Sequence, residues 1–119
     1  MSLKFRRTAR LRVRGEFDRV QRGGRRVSTS LFTLVASPNS LDRDRLGIIA
    51  SRRIGGAVVR NRAKRRIREV FRRQPPPGAG AAMTFLDVVV VARQQVTTAP
   101  IAAVEADFST ALRRLRGVK

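Results

Sequence analysis

Hydrophobic and polar positions alternate along this chain in six segments of recognisable period. Residues 16–22 set Phe17 and Val20 in a polar run that Gly23 and Gly24 close, which predicts a short helix. Over 31–36 the side chains alternate as a strand requires, with Phe32 and Leu34 on one face and Thr33 and Val35 on the other. Residues 37–40 (Ser-Pro-Asn-Ser) predict a turn, and 45–51 a second strand. Residues 87–92 predict a third strand, whose unbroken valines from Val88 to Val91 imply burial on both faces. The last helix is expected to start near Thr98, with Pro100 in its first turn and a stripe of Ile101, Val104, Phe108, Leu112 and Leu115.

The remaining segment, 58–73, carries the strongest pattern. At about 100° per residue, Val59, Ala63, Ile67, Val70 and Phe71 share one apolar arc while Lys64, Arg65, Arg68 and Arg72 fall opposite. Arg60, Lys64 and Arg68 follow at i, i+4 and i+8 and make one ridge of cations. The order helix, strand, strand, helix, strand, helix implies a small two-layer α+β sandwich in which helices cover a sheet.

Length and charge sharpen this picture. The 119 residues suit a single domain, 1–119, and 42% hydrophobic residues suffice for a core. A basic arm at 1–9 and a Pro/Gly-rich loop at 74–84 are expected outside it, and the segment after the loop is too short for a second core. Lysine and arginine number 27 against 8 acidic residues, a net charge of +19 that favours a polyanionic partner. Residues 1–73 hold 22 of the basic and 5 of the acidic side chains, so the charge is concentrated there. The absence of cysteine and histidine excludes disulfides, thiolate zinc sites, Ser-His-Asp hydrolases and Cys-His proteases. The longest apolar run, 88–92, is far shorter than the roughly 20 residues of a membrane span. No signal-peptide core follows the basic N-terminus, so a cytoplasmic protein is expected.

Residues 60–73 contain eight basic side chains and only Glu69 to offset them. Like charges one turn apart destabilise a helix by a few tenths of a kcal/mol per pair, a cost that a bound polyanion removes. A phosphate-binding face is favoured over a solvated one, which usually mixes signs, and over a membrane face, because the apolar arc is needed for the core. Asp42 and Asp44 are read as loop residues pairing with Arg43 and Arg45 rather than as a metal pair, and Asp87 as a pairing or capping residue. Lys4, Arg6, Arg7, Arg10, Arg12 and Arg14 read as an arm that stays flexible until a polyanion orders it.

The run from Val58 to Glu69, with Arg60-Asn61-Arg62 and Lys64-Arg65-Arg66, resembles the signature of the bacterial ribonuclease P protein subunits. Arg45-Leu46-Gly47-Ile48, Ser51-Arg52-Arg53-Ile54-Gly55, Glu16-Phe17 with Val20 and Gly24, and the segment from Asp87 to Arg93 fit the same family, so the resemblance spans roughly residues 8–116. It implies the ribosomal protein S5 domain 2-like arrangement, in the order α-β-β-(β)-α-β-α, with a mixed sheet and a left-handed βαβ crossover. The general rule would give a right-handed one. It also implies a monomeric protein that partners a catalytic RNA. Together they remove the 5′ leader of precursor tRNA by hydrolysis, with Mg2+ bound mainly by the RNA and no catalytic or metal residue in the protein.

Two surfaces follow from the resemblance. Arg52, Arg53, Arg60, Asn61, Arg62, Lys64, Arg65 and Arg68 would bind the catalytic RNA, with helix capping as the alternative role for Asn61. A cleft between the first helix and the sheet would hold the single-stranded leader through Phe17, Phe32, Arg19, Arg22 and Arg26, with core packing as the alternative for each Phe. The chain departs from the family where Gln21 and Val35 replace common aromatics, which shifts leader binding from stacking toward apolar contact and arginine. A structural RNA-binding protein of the ribosomal kind, or a cationic membrane-active protein, would share the charge but not the ordered set of motifs.

Overall fold

The structure is a computed structural model and describes residues 10–11, 14–39, 43–74 and 85–116. Helix α1 (Arg14–Gly23) is followed by strands β1 (Arg25–Ser28), β2 (Phe32–Pro38) and β3 (Arg45–Ile49), helix α2 (Ala57–Arg72), strand β4 (Leu86–Ala92) and helix α3 (Ile101–Leu115). The third strand before α2, optional in the sequence, is β1. It has one apolar residue, Val27, and pairs antiparallel with β2 from Arg25↔Ala36 to Ser28↔Thr33. Strand β2 runs through Pro38 into the expected turn, because Pro38 sits at the strand end opposite Leu86. Strand β3 stops at Ile49, short of the expected Ser51, and a 3₁₀ turn, Arg52–Ile54, leads into α2. A second 3₁₀ turn, Gln94–Thr97, precedes α3, and Pro100 stands just ahead of that helix rather than within it.

The sheet has the order β1-β2-β4-β3, antiparallel except for the parallel pair β3–β4 that α2 connects. One face packs against α2 and α3: Phe32, Leu34, Leu46, Val88 and Val90 meet Ala63, Ile67, Val70, Val104, Phe108 and Leu112. The other carries a smaller cluster of Val35 and Val89 with Val20 of α1 and Leu11, and Phe17 packs onto it. Val88, Val89 and Val90 are fully buried between the two clusters, as their unbroken run predicts. On α3 the buried stripe starts at Val104, since Ile101 is 38% exposed.

Backbone geometry fixes the hand of the crossover. The Leu46 carbonyl accepts the Leu11 N–H at 2.9 Å, so it points off the sheet edge and away from β4. The Leu46 side chain lies in the cluster with Ala63 and Ile67 of α2. For an L-residue on an upward strand, a side chain toward the viewer places the carbonyl to the right. Seen from the α2 side, β4 therefore lies to the left of β3, and the β3–α2–β4 crossover is left-handed, against the general rule. Among the described residues no helix is long and apolar enough to cross a membrane.

Candidate nucleic-acid interface

Helix α2 buries Ala63, Ile67 and Val70 and turns its cations outward. Asn61, Arg62 and Arg65 are exposed, and Arg60, Lys64 and Arg68 are half-buried along the flank. Arg52 and Arg53 are exposed on the 3₁₀ turn before it. That turn closes at Gly55, whose φ of 141° suits glycine, and a β-carbon there would lie 2.8 Å from Cβ of Val59. Gly56 occupies the N-cap, so Asn61 stands inside the helix with its side chain outward and does not cap it. Glu69 pairs with Arg72 and with Arg73 at 3.0 Å, which draws two of the eight cations away from the outer face. The Arg72 hydrogen bond, ahead of the two positive charges, holds the Glu69 carboxyl below its ordinary value. Arg66 is spent structurally: its guanidinium donates to the carbonyls of Thr97 at 3.2 Å and Ala99 at 2.6 Å.

On the opposite face α1 crosses the strands. The sheet register sets three rows of side chains there: Ser37–Asp87–Arg45, then Arg26–Val35–Val89–Gly47, then Ser28–Thr33–Val91–Ile49. Helix α1 engages the first two. Its Phe17 ring lies over Gly47, where a β-carbon would stand 2.6 Å from Cζ, and Val20 joins the Val35–Val89 cluster. Over the first row the fully buried Asp87 carboxylate takes a two-pronged bond from Arg45, at 2.8 Å from Nε and 2.7 Å from Nη2. It also accepts Asn39 Nδ2 at 2.9 Å and pairs with Arg19. Arg45 in turn donates to Glu16 at 2.8 Å and so ties α1 to the sheet. Burial pushes the Asp87 carboxyl up, but the bonds from Arg45 and Asn39, with the charges of Arg45 and Arg19, outweigh it and hold the group below its ordinary value. The third row lies on the same face beyond the two that α1 engages, with Ser28 exposed and Val91 and Ile49 half-buried, and we read it as the floor of a trough beside α1.

At the β3 edge of the sheet lies a cavity of about 110 Å³. Phe17, Gly47, Leu11 and Arg10 line it together with Lys64 and Arg68 of α2. The cavity thus joins the basic helix to the aromatic wall, two features that are 47 residues or more apart in sequence. Burial, and then the like charge of Arg10, pull the Arg68 guanidinium below its ordinary value. Three cations converging on a small cavity beside an aromatic ring suit a nucleotide, with phosphate on the charges and base or sugar on the ring.

Not every expected residue reaches these surfaces. Phe32 lies on the other face of the sheet, fully buried and edge-on to Phe108 at 5.9 Å, so it is a core residue and not part of the α1 cleft. Arg19 is half-exposed but bound to Asp87 and the Ser37 hydroxyl, which makes it a tether of α1. Arg22 and Arg26 are exposed at the β1 end of the trough, remote from the cavity. Asp44 does not pair locally: it accepts the Leu86 N–H at 2.8 Å and pairs with Arg116 of the α3 terminus. Arg10 lies against β3 and Arg14 opens α1, so neither belongs to a loose arm. Residues 1–9, Arg12, Asp42 and 75–84 of the loop, for which the sequence also carries expectations, lie outside the described residues. Sequence reasoning missed Arg10, Leu11 and Gly47 as cavity walls; only Gly47, by standing as a glycine inside a strand, carried a signal.

Comparison with known proteins gives a consistent picture. The family model described as Ribonuclease P matches residues 5–116. The ribonuclease P protein component of Syntrophobacter fumaroxidans is 44% identical over 96 residues, covering 77% of this chain and 75% of its own. That of Chloroflexus aggregans is 39% identical over 111 residues, covering 92% and 79%. The solved RNase P protein of Staphylococcus aureus superposes with a TM-score of 0.73 at 28% identity, covering 89% of this chain and 94% of that one.

Proposed function

The chain belongs to the bacterial ribonuclease P protein family, the protein component of the endoribonuclease that matures tRNA 5′ ends, and on that premise we propose how its surfaces divide the work. The outer face of α2 and the turn before it, Arg52, Arg53, Arg60, Asn61, Arg62, Lys64, Arg65 and Arg68, hold the catalytic RNA. The trough beside α1 holds the 5′ leader of precursor tRNA. The observation that carries this reading is the shared cavity, in which Lys64 and Arg68 of α2 stand beside Phe17 of α1. A leader leaving an RNA docked on α2 enters the trough at that point.

The chemistry is assigned to the RNA and its Mg2+. Asp44 and Asp87 are engaged by arginines, and among the described residues no group of three or more carboxylates gathers. That charge pattern does not fit a divalent ion held by the protein. The protein supplies cations that screen two polyanions from each other and a groove that adds leader contacts to substrate affinity. A cytoplasmic location accords with that role.

The test is cleavage of a precursor tRNA by a bacterial ribonuclease P RNA at low Mg2+, with and without the protein. Strong stimulation at the mature 5′ end is expected. Tight RNA binding without stimulation would overturn the assignment in favour of a purely structural RNA binder.

A further inference from the structure

Charge without an answering carboxylate gathers in a second place. Glu16, Asp44, Glu69, Asp87 and Glu105 pair with Arg45, Arg116, Arg72, Arg73 and Arg19. Arg22, Arg25, Arg26, Arg113 and Arg114 are exposed and form no ion pair among the described residues. The first three lie in the chain reversal from α1 into β1, and the last two in the final turn of α3. Arg25 joins the groups, since its Nη1 donates to the Leu115 carbonyl at 3.4 Å.

The place of this patch matters. Strand β1 is the far edge of the sheet from β3 and the cavity, about 14 Å across at the usual strand spacing. The third row on the α1 face, Ile49–Val91–Thr33–Ser28, runs between those edges with one residue from each strand in turn. A single strand that enters at Lys64 and Arg68 leaves at Ser28 and Arg26, against uncompensated arginines.

We propose that this β1 edge extends the binding path of the leader: Arg22 and Arg26 take phosphates as the strand emerges, and Arg25, Arg113 and Arg114 take them as it passes round the edge toward α3. The proposal rests on the trough being the leader site. It adds a distal subsite that reads backbone charge and no sequence, because exposed arginines at a sheet edge offer no pocket for a base.

The experiment uses holoenzyme assembled with a ribonuclease P RNA and three precursor tRNAs: no leader, a leader that just fills the trough, and one extended at its 5′ end. Affinity is measured at several salt concentrations for the wild type, for Arg113→Gln with Arg114→Gln, and for Arg22→Gln with Arg26→Gln. Wild type is expected to gain affinity at each extension. The Arg113/Arg114 variant should lose several-fold on the extended leader alone, with a salt slope reduced by about 0.7 per lost phosphate contact. The Arg22/Arg26 variant should lose on the extended leader more than on the shorter one. An unchanged extended-leader gain in both variants overturns the subsite. So does an equal loss on all three substrates, which would place the patch on the catalytic RNA. If the trough-filling leader gives wild type no advantage over none, the leader site itself fails, and the distal subsite with it.

Discussion

The Phe17 ring rests on the backbone of Gly47, and the two residues together line the cavity that Lys64 and Arg68 of α2 also reach. Any side chain at 47 must displace that ring, since a β-carbon would stand 2.6 Å from Cζ and 3.1 Å from Cβ of Leu11. Gly47→Ala is therefore expected to cost about 1–3 kcal/mol by overpacking and to shift α1. Chemical denaturation should show the loss, and leader-dependent affinity should fall with it. Phe17→Ala should weaken leader binding while RNA binding through α2 is retained, measured as the ratio of affinities with and without a leader.

Asp87 is the buried anchor of α1. Asp87→Asn leaves Arg45 and Arg19 facing a neutral amide, and breaking such a buried pair costs about 3–5 kcal/mol. Arg19 has 48% of its side chain exposed, so Arg19→Gln should cost no more than about 1 kcal/mol. Thermal unfolding of the two variants would show whether Arg45 or Arg19 dominates the tether.

Acid should unfold the protein through the same group. The Asp87 carboxyl is held below its ordinary value in the fold, so its contribution is complete above the unfolded-state value of about 3.9 and disappears as pH falls through the folded-state value. With no histidine in the chain, stability should stay nearly flat from pH 8 to pH 5 and decline below about pH 4. A marked transition near pH 6 would contradict this.

Adjacent arginines on α2 should separate binding from folding. Arg65 is exposed, and Arg65→Ala should leave the melting temperature unchanged while weakening affinity for the catalytic RNA and lowering its salt slope by up to about 0.9. Arg66→Ala strands the Thr97 and Ala99 carbonyls, so it should cost about 1–3 kcal/mol of stability with a smaller effect on RNA.

What the chain discloses in advance follows the reach of each interaction. Helix α2 is legible because one 3.6-residue period sorts Ala63, Ile67 and Val70 from Arg62 and Arg65 within sixteen residues. Strand β2 is legible for the same reason at period two, and its alternation already sets Phe32 with Leu34 and against Val35. The family pattern implies Phe32 in the cleft, but the alternation places it in the core with Leu34, where it packs on Phe108. Strand β1 is nearly silent because only Val27 is apolar, and pairing with β2 makes it a strand. The ties from Asp87 to Arg45, from Asp44 to Arg116 and from Arg66 to Thr97 span 31 to 72 residues, and no periodicity announces them. The hand of the crossover is likewise decided by which face α2 reaches, a property of the assembled sheet.

The Leu11–Leu46 backbone bond has one more consequence. An open sheet exposes two ladders of unsatisfied amides and carbonyls, and a second copy can zip onto either. Here the chain's own Arg10–Leu11 segment already occupies part of the β3 ladder, and the β1 ladder is four residues long and studded with Arg25 and Arg26. Copies that meet edge to edge find one side taken and the other mutually repellent. Both edges of the sheet are thereby guarded against strand pairing between copies.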